Sequence, residues 1–197
     1  AHSTGVNFLY DYMHPKAKYI MGYSYPNVRF PLLDSSFDFI ILQGYHAMAG
    51  TEGAVLDHTF SSAHIHNVYV NGLKAGEIYI DALIASELKV PVAMVTGDDK
   101  AVKEALEFLP WVKAYETKKG IARHCALMTP PSVVRDELKK LAGQVVKEKD
   151  NFKLLDVPKE VEIHYEAAMT SDADTFNFKN AGMTRIDGRT VIKRGTG

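Results

Sequence analysis

His46, His58 and Glu77 are the residues whose types and surroundings allow chemistry. His46 follows a short apolar run, Phe37 to Leu42 (Asp38 apart), and the triplet Gln43-Gly44-Tyr45. That order reads as a buried strand ending in a glycine turn, with an imidazole delivered at its carboxyl edge. Ligands of open α/β sheets sit outside that edge. His58 comes twelve residues later, behind Gly53-Ala54-Val55-Leu56-Asp57, and Glu77 opens a helical pattern straight after Gly76. Two imidazoles and a carboxylate at one edge suit a metal site with a base beside it. Each also has a plainer reading. A histidine can be an ordinary core or surface residue, and a carboxylate in a helix's first turn is favoured by the macrodipole.

Other candidates carry less. Asp98 and Asp99 can ligate a metal, but turn formation and helix capping account for both. His64 and His66 straddle Ile65 and so share a strand face, where a solvated role outweighs chelation. His124-Cys125 invites a thiol mechanism, yet a lone cysteine is expected to be small, buried and inert.

The elements that must position these residues follow from pattern. Asn7 to Met13 reads as a helical turn closed by His14-Pro15, because a residue before proline is pushed out of the helical region. Tyr19 to Gly22 reads as a short strand and Pro26 to Pro31 as loop. The run Phe37 to Leu42 suits a strand covered on both faces. Ile65 to Val70 is a second strand, and Asn71-Gly72 turns it into a short return over Leu73 to Ala75. Glu77 to Leu88 is the best helix, with Ile80, Leu83, Ile84 and Leu88 on one face. Val90 to Val95 is a strand and Thr96 to Asp99 a turn. An aspartate there caps a helix from Lys100 to Leu109.

Ser132 to Glu148 is a third helix behind Pro130-Pro131. Val161 to Glu166 alternates as a half-exposed strand, and Asp187-Gly188 joins a second hairpin. The fold class is α/β: a mainly parallel sheet flanked by helices, with β-hairpin additions. A sheet core over 1–150 and a β-rich part over 151–197 together make one domain, 1–197.

With 197 residues, 46% hydrophobic and 24% charged, the composition is that of an ordinary globular protein. A net charge of −1 offers no basic field for nucleic acid and no polybasic membrane patch. No apolar run reaches the roughly 18 to 20 residues of a transmembrane helix, and the first residues lack a signal-peptide pattern. The single cysteine excludes an internal disulfide and a Cys-rich zinc module, so a cytoplasmic location is expected. Eight histidines raise the expectation of metal or acid–base chemistry.

Taken as an ordered set, the pieces say more. Gly44-Tyr45-His46-Ala47, Gly53 through His58, Asn71-Gly72, Gly76-Glu77, Pro91-Val92 and Gly97-Asp98-Asp99 resemble the DppA-type zinc D-aminopeptidases in order and spacing. Ala1-His2-Ser3 looks like the tail of that family's Asn-Asp-Ser/Ala-His-Ser motif. The resemblance implies a two-zinc aminopeptidase that removes D-amino acids such as D-Ala from the N-termini of short peptides. It matches His2, His46 and Glu77 to zinc ligands, and His58 to the catalytic histidine that serves as nucleophile or base. It also implies a ring-shaped homo-oligomer.

The family opens with an Asp-x-Glu-Gly strand that supplies further metal ligands, and it closes with a helix. Neither is present here, so the chain reads as a fragment incomplete at both ends. Three ligands alone under-coordinate two zinc ions. The alternatives are another metal-assisted amide or ester hydrolase on the same scaffold, and a non-catalytic assembly subunit with a remnant site.

Overall fold

The computed structural model describes residues 9–22, 28–176 and 182–196. The chain divides into two compact units, 1–33 and 34–197. In the first, Tyr10–Tyr12 form a single 3-10 turn, closed when Met13 N–H donates to the Tyr10 carbonyl, and His14-Pro15 follows. The strand expected over Tyr19 to Gly22 does not form. Instead, the Tyr19 hydroxyl accepts the His14 N–H at 2.6 Å, a local turn contact in place of a ladder.

The second unit contains β1 (Ile40–Tyr45), β2 (Ile65–Val70), β3 (Leu73–Lys74), α1 (Glu77–Glu87), β4 (Val92–Asp98) and α2 (Asp99–Phe108). It continues with β5 (Lys113–Ala122), β6 (Cys125–Met128), α3 (Pro131–Lys147), β7 (Glu160–Ala167), α4 (Thr170–Thr175), β8 (Met183–Arg185) and β9 (Thr190–Thr196). One sheet has the order β1-β4-β5-β6, with its first three strands parallel and β6 antiparallel. The other has the order β3-β2-β7-β9-β8 and is antiparallel throughout. The α/β class and the parallel core flanked by helices stand as the sequence implies; the separate five-stranded sheet is new.

α1 explains how the two sheets coexist. Its Ile78 and Ala82 pack with Leu42, Val92 and Val95 of the parallel sheet and with Ala101, Ala105 and Leu109 beyond. Its Ile80 and Leu83 pack with Val68, Val70 and Ala75 on the antiparallel side. The expected apolar stripe is therefore only one of two buried faces. Ala93 and Met94 of β4 meet Val145 of α3 and Phe152 in a third cluster. Adjacent strand residues point to opposite faces, so β4 is covered on both. All seven of its residues are buried.

β1 departs from expectation. It is the edge strand among the described residues, only Leu42 is buried, and Ile41 is 38% exposed. The Asn71-Gly72 turn forms as its residue types require, with φ of 49° and 82°. Asn71 also ties the hairpin to β7, accepting Glu162 N–H at 2.7 Å and donating to the Glu160 carbonyl at 3.0 Å.

Candidate metal centre

His46 is the residue after β1, and its position is fixed from three sides. Gly44 turns with φ of 71° while its N–H donates to Thr96 Oγ1 at 2.8 Å. The Tyr45 hydroxyl donates to Asp81 Oδ2 at 2.7 Å. Asp81 is fully buried one turn beyond Glu77 in α1, so this bond pins the end of β1 to the helix that carries the carboxylate. The imidazole Nδ1 lies 3.2 Å from the Ala47 carbonyl.

His58 sits on a loop held by its backbone. Val55 N–H donates to Asp98 Oδ2 at 2.6 Å, and Leu56 N–H donates to the Arg123 carbonyl at 2.9 Å. The Arg123 guanidinium donates to both the carbonyl and the carboxylate of Asp57. Gly120 of β5 lets that strand approach the loop, since a Cβ there would lie 2.2 Å from the Gly53 carbonyl oxygen. Leu56 and Phe60 hold φ of 55° and 62°, a left-handed backbone on either side of the histidine. Such strain in non-glycine residues persists only where the surroundings enforce it.

Glu77 is the first residue of α1. Its Oε1 accepts Phe60 N–H at 3.0 Å, lies 3.4 Å from His46 Nε2 and lies 3.6 Å from His58 Nε2. The imidazoles stack with centroids 3.7 Å apart and planes 19° apart. One ligand atom from each of the three residues falls within 4.8 Å of the others, the one such group among the described residues. A carbonyl oxygen only accepts, so His46 Nδ1 facing Ala47 and His58 Nδ1 facing Leu56 (2.6 Å) carry the ring hydrogens. Both Nε2 lone pairs are left for the cluster, the tautomer a metal ligand or a base needs.

Metal–ligand bonds of about 2.0–2.1 Å at tetrahedral angles put donor atoms about 3.3 Å apart. The 3.4 and 3.6 Å separations fit that edge. Burial opposes protonation of His46. The Glu77 carboxylate, the Ala47 carbonyl and the Glu104 carboxyl more than offset this, so its pKa is raised above the ordinary histidine value.

His2 lies outside the described residues. Asp98 caps α2 by accepting Ala101 N–H, and Asp99 takes Lys100 Nζ and Gly120 N–H, so both are structural. His66 is exposed, and exposed His64 pairs with Asp172 at 2.9 Å. Cys125 is exposed rather than buried, because β6 is an edge strand with little cover.

Sequence reasoning missed Asp81, Arg123 and Glu104. Asp81 had a signal, since a residue four places after Glu77 shares its helix face. Glu104 had one too: it stands with Ala101 and Ala105 on the buried face of α2, where an acid is out of place. Arg123 had none.

A family model described as D-aminopeptidase matches residues 1–196. The chain belongs to the D-aminopeptidase family. A D-aminopeptidase of Bacillus subtilis (strain 168) is 31% identical over 196 residues, which span 100% of this chain and 68% of that protein. A solved structure of the zinc-dependent D-aminopeptidase DppA from Bacillus subtilis, described as a self-compartmentalizing protease, matches with a TM-score of 0.90 at 29% identity. That match covers 98% of this chain and 70% of DppA. As a member of the family the protein is a peptidase, and its fold is that of DppA.

Proposed function

We propose that this protein is a zinc-dependent aminopeptidase that releases D-amino acids, D-Ala among them, from the N-termini of short peptides. The observation that carries this is the meeting of His46 Nε2, His58 Nε2 and Glu77 Oε1 in a member of the D-aminopeptidase family. In this reading His46 and Glu77 hold metal, with His2 as a further ligand and two zinc ions in the complete site. Nitrogen and carboxylate donors at these separations suit zinc. When bound, zinc supplies Lewis-acid polarisation of a carbonyl and lowers the pKa of water.

The chain's own residues supply the rest. Glu77 is held by Phe60 N–H and stays aimed between the two imidazoles. His58 has Nδ1 committed to the Leu56 carbonyl, so its Nε2 takes the proton from the attacking group and returns it to the leaving amine. Near pH 7 an imidazole can do both. A second reading makes His58 an additional metal ligand, favoured by its 3.6 Å distance to Glu77 Oε1.

The reading extends to a homo-oligomeric ring, supported by the self-compartmentalizing description of DppA. A cytoplasmic location goes with it; no helix among the described residues is long and apolar enough to cross a membrane. Nucleic acid is not among the partners, given the net charge of −1.

Hydrolysis of D-Ala-D-Ala and D-Ala-Gly-Gly against their L counterparts tests the function. The D peptides should be cleaved, the L peptides spared, and cleavage should stop with a chelator and return with zinc. Metal-dependent cleavage of a different amide or ester, with D peptides untouched, would move the protein to another hydrolase class. Zinc binding without any hydrolysis would leave an assembly subunit.

A further inference from the structure

Glu104 is a buried acid that the chemistry above does not use. It is 5% exposed and stands on α2 between Ala101 and the neighbouring Ala105, both fully buried. Its carboxyl reaches out of that apolar face to the segment after β1, where Oε2 accepts Met48 N–H at 2.7 Å. Oε1 is buried and has no hydrogen-bond partner. It lies against Gly76, where a Cβ would sit 2.2 Å from Oε1 and 2.8 Å from Met48 Cβ. Gly76 has φ of −96°, which any residue adopts, so space rather than backbone freedom keeps this position small. Met48 is two residues after His46, and Gly76 is the residue before Glu77. One carboxyl from a third element therefore touches both segments that carry the metal-site residues.

A half-satisfied buried carboxyl is costly in a core that an apolar side chain could fill. Burial pushes its pKa up from 4.5 to about 7; Glu107 and Asp98 push the same way, while Met48 N–H and His46 oppose. A group kept at that cost in contact with both segments has a task beyond packing.

We propose that Glu104 is a positioning residue that sets the spacing of His46 and Glu77, by anchoring Met48 N–H and by occupying the space beside Gly76. This rests on the reading of His46 and Glu77 as metal ligands. Glu104→Gln keeps the shape and the acceptor for Met48 N–H. Glu104→Met keeps the volume and loses the acceptor.

The test is zinc affinity by chelator competition on the whole protein, alongside thermal melting of the metal-free form. Glu104→Met should weaken zinc binding about 10- to 100-fold, the loss typical when a partner that orients metal ligands is removed. Glu104→Gln should stay close to the unaltered protein. Equal zinc affinity in Glu104→Met and the unaltered protein overturns the proposal, as does an equal loss in Glu104→Gln and Glu104→Met. If Glu104→Met does not fold, Gly76→Ala serves from the other side. It should lower zinc affinity when Glu104 is present and less so with Glu104→Gly, and equal losses in both backgrounds overturn the proposal. If the unaltered protein binds no zinc at all, the metal-site reading itself falls and the proposal with it.

Discussion

Glu77→Ala is expected to remove metal and activity together. Glu77 Oε1 faces both imidazoles and accepts Phe60 N–H, so three elements converge on one atom. Without it, two stacked imidazoles remain, and the carboxylate oxygen that faces both of them is gone. A carboxylate that only favoured the helix start would contribute about 0.3–1 kcal/mol of stability and leave metal binding untouched. Phe60 N–H loses its acceptor as well, a part-buried hydrogen bond worth about 0.5–1.5 kcal/mol, so a slightly lower melting temperature is expected too. Metal content of the purified variant separates the two roles. Full metal occupancy would return Glu77 to its plain helix-start role.

His58→Ala is expected to abolish peptide hydrolysis while metal content holds. Removing a positioned general acid–base typically costs about 10²–10⁴-fold in turnover. The loop survives the change because backbone groups hold it: Val55 on Asp98, Leu56 on the Arg123 carbonyl, and the Asp57 carbonyl under the Arg123 guanidinium. Glu77 also keeps its Phe60 partner. Turnover with D-Ala-D-Ala and zinc content on the same sample distinguish the alternatives. Loss of zinc along with activity would make His58 a ligand; unchanged turnover would end its catalytic role.

The meeting of His46, His58 and Glu77 was legible in part because they sit at or near element boundaries, a strand end before His46 and a helix start at Glu77. Those positions alone allowed the plainer readings too; the roles of ligand and catalytic histidine came from the family resemblance. Long periodic segments also read well: α1 ends one residue earlier than expected, and α3 is displaced by one residue at each end.

What failed was set by tertiary pairing. Lys113 to Ala122 carries three lysines and a glutamate, so it offers no alternating apolar pattern. It is a strand because β4 and β6 complete its ladder on either side. β4 itself runs through Thr96 and Gly97 to Asp98, where the sequence suggested a turn, for the same reason. The antiparallel sheet stayed hidden because its strands come from both ends of this unit, with β2 pairing to β7 across about half the chain. Glu104 and Asp81 went unread because single-face patterning treats a carboxylate on a buried face as noise.

Anomalous scattering at the zinc absorption edge, from crystals of the zinc-loaded protein, tests the central claim most directly. The expected result is a peak about 2.0–2.2 Å from both His46 Nε2 and a Glu77 carboxylate oxygen. Zinc found elsewhere, with these two residues free of it in a protein that still cleaves D-Ala-D-Ala, would contradict the account.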